Sequence, residues 1–125
     1  MNVARSFLLV GAAFLIFGLL IGMYMAGSGN HDLALSHAHV NLIGFVLSAV
    51  FALTYAAYPA MTEGRLGAIH FWLHFVGAVV VNVLLFLLLS GSISDAAMVP
   101  LAPISEALIL IGAILFGWNV WKNVA

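Results

Sequence analysis

Cysteine is absent from the 125-residue chain, which excludes disulfides, cysteine-ligated zinc, iron–sulfur clusters and thioether-linked haem. Charge is scarce as well: three Lys or Arg and four Asp or Glu make up 6% of the residues, for a formal net charge of -1. With no basic run, the chain offers nucleic acid no electrostatic footprint. What is present is apolar. The chain is 66% hydrophobic with a mean hydropathy of +1.25, more than a water-soluble domain of this length carries without exposing large patches. An integral membrane protein in contact with lipid is therefore expected.

Four apolar runs reach the length needed to cross a bilayer, about 20 residues each. They fall at roughly 6–26, 35–58, 66–89 and 98–121. Between them lie turn-forming stretches, Gly27 to Asp32, Pro59 to Gly64 and Ser90 to Asp95. Short connections make neighbouring helices antiparallel, so the expected fold is all-α, a four-helix up-down bundle forming one transmembrane domain over residues 1–125. The first run follows Arg5 and ends near small residues, yet it is too long for a secretory signal and reads as a retained anchor. Arg5, Arg65 and Lys122 fall on one side of such a bundle. By the positive-inside rule that side, with both termini, is cytoplasmic. His31, Asp32, His37, His39 and Asp95 then gather at the outer face.

Ionisable side chains are costly at membrane depth and are kept mainly where they bind something or move charge. That directs attention to His37 and His39, in the run Ser36-His37-Ala38-His39-Val40-Asn41. Residues two apart on a helix point about 200° away from each other, so one helix presents imidazoles to two different neighbours. They do not readily chelate one ion together, as a pair at i and i+4 can. Each suits a separate planar cofactor, with the neutral imidazole as axial ligand to iron. Other residues at the outer level with suitable chemistry are Met23, Met25, Met98, His31 and Asn41. A copper- or zinc-binding module using the outer histidines is one alternative, and a structural or assembly subunit whose histidines only pack is another.

The order of motifs is also familiar. His31-Asp32, then His37-Ala38-His39, an apolar helix, Tyr58-Pro59-Ala60-Met61-Thr62-Glu63-Gly64-Arg65 and Ile69-His70-Phe71-Trp72 together resemble the catalytic subunit of haem-copper oxidases and nitric oxide reductases. The likeness is to the last three of its twelve helices, with the first run standing in for the one before. It implies that the residue matching His37 is the proximal ligand of a high-spin haem and that the one matching His39 ligates a low-spin haem. It also implies haem b (iron protoporphyrin IX), a role in electron transfer or O2- or NO-related redox chemistry, an electron-donor protein as partner, and a bacterial inner membrane. The family's twelve helices form three arcs of four, so a homotrimer of this chain would rebuild them, with haem between copies near the outer face.

Departures from the family are equally informative. The earlier helices that carry its copper histidines have no counterpart, so oxygen reduction to water by this chain alone is not expected. The arginine pair that holds haem propionates is missing, leaving serines, Asn30, His31 or backbone amides for that task. His31-Asp32 resembles a pair beside the family's magnesium site, but at a shorter spacing.

The remaining polar residues read as structural first. His70 and His74, at i and i+4, share a face and are expected to hydrogen-bond across helices rather than hold a metal. The height of His74 should differ from that of His39 by roughly 15 Å. Glu106 in the fourth run suggests a proton relay or a hydrogen-bond partner for a propionate or an imidazole. Asn41, Asn82 and Asn119 suggest interhelical contacts, and glycines 11, 18, 22, 44, 77, 112 and 117 suggest close helix approach. Trp118 and Trp121 beside Lys122 read as an interfacial anchor.

Overall fold

The computed structural model describes residues 1–124, and among them are four helices long and apolar enough to span a membrane. They are α1 (Val3–Ser28), α2 (Ala34–Ala57), α3 (Leu66–Leu89) and α4 (Leu101–Asn123). Each lies within a few residues of its predicted run. At α4 the start moves inward, because Asp95–Met98 forms a separate 3-10 turn and Pro100 holds the helix back to Leu101.

Local chemistry sets the ends. Asn2 caps α1, its side-chain oxygen accepting from the Arg5 amide at 2.9 Å. Gly29 closes the same helix in the left-handed region, φ 70°, with its amide donating to Met25 O. The next turn is tied by side chains: the Asn30 amide donates to Ser28 Oγ and the Asp32 amide to Asn30 Oδ1.

α2 is not uniform. It is α-helical over Ala34–His39, widens into a π-helix over Val40–Val46, and resumes as α-helix over Leu47–Ala57. The periodicity of the sequence does not reveal this segment, because hydropathy along an all-apolar run is blind to one extra residue per turn. Gly44 lies inside it, where a Cβ would collide with the ring of Phe14 on α1.

Two clusters build the interior. The larger holds Val3, Phe7, Phe51, Ala52, Tyr55, Met61 and Phe71, with Phe116 and Val120 packed on it, so all four helices meet at the end that carries Arg5, Arg65 and Lys122. The smaller, toward the other end, holds Ile21, Met25, Leu33 and Val40, with Phe14, Phe86 and Leu89 against it, and draws on α1, α2 and α3. α4 lies mainly along α3. A Cβ at Gly77 would stand 2.7 Å from Ser105 O and 2.7 Å from Ile109 Cγ1, which shows how closely the two backbones approach. In the membrane windows of the four helices only 17% to 33% of residues are buried. The outer surface of the single chain is correspondingly oily, as lipid or further copies would require.

Two expectations change at this level. A Cβ added at Gly117 would have nothing within 4 Å of it among the described residues, so this glycine makes no close approach, unlike Gly11, Gly18, Gly22, Gly44, Gly77 and Gly112. Of the three asparagines only Asn119 bridges segments, donating to Met61 O at 2.8 Å. Asn82 and Asn41 donate to carbonyls of their own helices, Ala78 O and His37 O.

Candidate functional site

The His-x-His pair occupies the last α-helical turn before the π-helical segment of α2, a type of irregularity that is frequent at functional sites. Because both histidines precede the widening, the angle expected between them holds. His37 turns toward α1, where its Nδ1–H donates to Gly18 O at 2.9 Å. Its ring is packed close: a Cβ at Gly22 would lie 3.0 Å from His37 Cε1, and a Cβ at Gly18 would lie 2.5 Å from Asn41 Oδ1. Asn41 donates to His37 O at 2.9 Å and rests its amide nitrogen 3.3 and 3.4 Å from the two ring nitrogens.

His39 is placed differently. It shares a face with Leu35, four residues before it and 52% exposed, and is itself half-buried. Its Nδ1–H donates to Leu35 O at 3.0 Å. A carbonyl can only accept, so in both histidines the proton resides on Nδ1 and the neutral ring keeps its lone pair on Nε2. Donation of the second ring N–H to a backbone carbonyl is the usual arrangement behind a metal-ligating imidazole, since it fixes ring orientation and tautomer.

The surroundings differ in how much room they leave. At His37 the ring is wedged against Gly18 and Gly22 of α1, with no space for a porphyrin unless the two helices part. At His39 the neighbouring surface faces outward and is apolar. Ser36, fully buried beside the pair, has a hydroxyl with no hydrogen-bond partner among the described residues.

The other sequence candidates are scattered. Met25 is buried in the smaller core with Ile21, Leu33 and Val40. Met23 is 70% exposed on α1, and His31 is an exposed loop residue whose Nδ1–H donates to Gly29 O. Among the described residues no group of three or more His, Cys, Asp or Glu converges to hold a metal ion. Glu106 is exposed on α4 rather than buried.

Two apolar grooves of about 250 and 320 Å³ run between α1 and α3. Phe14, Phe17 and Phe75 line the first and Phe17, Ile21 and Phe86 the second, and neither is lined by His37 or His39.

His70 and His74 make the cross-helix bonds expected of them. Tyr55 on α2 pairs its hydroxyl with His70 Nδ1 at 2.9 Å, and His74 Nε2–H donates to Ile43 O at 3.1 Å, inside the π-helical segment. The second bond brings the His74 ring to a carbonyl four residues beyond His39, and after the 3-10 turn Pro59–Thr62 the start of α3 packs Gly67 against Tyr55 and Met61 near the end of α2.

No protein-family model, curated protein or solved structure matches this chain.

Proposed function

We propose that this chain is a b-type haem protein of the membrane in which His39 supplies an axial imidazole to iron. The supporting observation is the pairing of a carbonyl-bound Nδ1 with a lone-pair Nε2 on an outward apolar face. Since that face lies on the outside of the single chain, the pocket is completed by further copies, and the resemblance to a subunit with three arcs of four helices favours a trimer. Bound haem would supply one-electron exchange or binding of a diatomic gas. In this reading both imidazoles donate Nδ1–H to a carbonyl, but the outward position of His39 makes it the better ligand, while His37, wedged against Gly22, fastens α1 to α2. His31 and Met23, both exposed at the same end, are the groups available as a second ligand from a neighbouring copy. Met25 is less suited because it is packed in the core.

The resemblance further supports electron transfer or O2- or NO-related chemistry, an electron-donor protein as partner, and a bacterial inner membrane with the site toward the outer face. Protein purified from haem-sufficient cells should show a Soret band that shifts on reduction with dithionite. His39→Ala should remove most of that band and His37→Ala much less. A colourless wild-type protein after haem supplementation, or an unchanged spectrum for His39→Ala, would overturn the proposal. Stoichiometric copper or zinc in colourless protein would favour the metal-module reading instead.

A further inference from the structure

The inner half of the bundle holds a second set of polar side chains that the haem reading does not use. Tyr55, His70 and His74 are 1%, 1% and 2% exposed, amid the rings of Phe7, Phe51 and Phe116. Burying three such groups in a membrane interior is costly, and proton relays are one of the roles for which ionisable side chains are kept there. Two observations give the string a direction. At one end Tyr55 lines a mixed polar and apolar pocket of about 490 Å³, formed with Asn2, Ala56 and Thr62 at the end of the bundle that carries Arg5 and Arg65. Toward the membrane centre, His70 Nε2 is buried without a hydrogen-bond partner among the described residues, although its Nδ1 is bonded to Tyr55. The His74 ring centroid is 6.2 Å from that of His70, so the two imidazoles are near neighbours and the proposed path runs through one water between their facing nitrogens.

We propose that Tyr55, His70 and His74 form a proton-entry path from the charged end of the bundle to the middle of the membrane. A hydrated proton in the pocket is given to the Tyr55 oxygen, leaving water behind, as the Tyr55 O–H proton passes to His70 Nδ1. The proton on His70 Nε2 leaves through the bridging water to His74 Nδ1. His74 keeps its Nε2–H on Ile43 O throughout. One proton enters from the pocket, one positive charge arrives on His74, and no electrons move. The surrounding helices contribute aromatic rings and Gly112 to this region. The charged groups Arg5, Glu63, Arg65 and Lys122 lie at the ends of helices or in the turn.

The test is hydrogen–deuterium exchange of 15N-labelled histidine rings in the full-length protein, read by NMR after transfer to D2O, with no haem required. The wild-type His70 ring N–H should exchange within minutes. Tyr55→Phe should slow it at least tenfold, with amide exchange elsewhere and the thermal midpoint as the check that the variant is folded. Ala56→Phe plugs the pocket without touching the Tyr55–His70 bond and should slow exchange similarly. A wild-type ring inert for hours, or both variants exchanging at the wild-type rate, would overturn the path while leaving the haem proposal standing.

Discussion

Glycine positions illustrate how much a single hydrogen atom can decide here. At Gly77 an added Cβ would meet a backbone carbonyl, Ser105 O, that cannot rotate away, whereas at Gly112 the nearest atom, His70 Cδ2, is at an ordinary 3.4 Å. Gly77→Ala should therefore part α3 from α4 and cost about 1–3 kcal/mol, the usual range for overpacking. Gly112→Ala should be close to neutral, and thermal unfolding in detergent distinguishes the two. Both glycines are readable in the sequence as sites of close approach; their ranking is not, because it depends on which atom sits opposite. Gly117 looks the same in sequence and touches nothing among the described residues. The histidines follow the same logic. The angle between His37 and His39 follows from helix geometry alone, while the carbonyls of Gly18 and Leu35 that fix their tautomers become known only when the backbone is in place.

The lengths of the helices are legible because a hydrocarbon slab imposes them, and their short turns because Gly, Pro, Ser and Asn concentrate there. The π-helical segment of α2 is not, since neither hydropathy nor propensity registers it. Its carbonyls cannot all be satisfied by the ordinary ladder, and Ile43 O takes its bond from His74 across the helix interface. Replacing His74 by Leu removes that donor, at a cost of about 0.5–1.5 kcal/mol. The loss should be localised: amide exchange at residues 43–47 should accelerate well beyond that of α1 or α4. Uniform acceleration would indicate instead that His74 acts through the aromatic core around Phe51. Connection geometry is the other blind spot: the 3-10 form of the Pro59–Thr62 turn is not visible in the apolar runs on either side of it.

At the scale of the whole molecule, the arrangement of four helices and the clustering of three basic residues at one end agree with the sequence reading, and the membrane orientation that follows is open to a direct measurement. The chain has no cysteine, so single cysteines introduced at Ser92 and at Thr62, which lie in turns at opposite ends of the bundle, can be labelled against a silent background. By the positive-inside rule an impermeant maleimide should reach the Ser92 site in intact cells and the Thr62 site only after permeabilisation. The reverse pattern would place the histidine pair in the cytoplasmic leaflet. Assembly is tested by native mass measurement in detergent or nanodiscs. A mass of three chains is expected, dropping toward one when Leu35, 52% exposed on the His39 face, is replaced by a charged residue. How copies dock is outside the reach of sequence patterns, because lipid-facing and partner-facing residues are equally apolar in a membrane.

The widened turn in α2 also works as a phase shifter. An added residue in a helix advances everything beyond it by about 100°, so the turn lets the histidine-bearing tip be indexed separately from the stem that seats Phe51 and Tyr55. Unwinding it by deleting one residue would leave the stem in its socket and swing the His39 ring roughly a quarter of a revolution off its outward bearing.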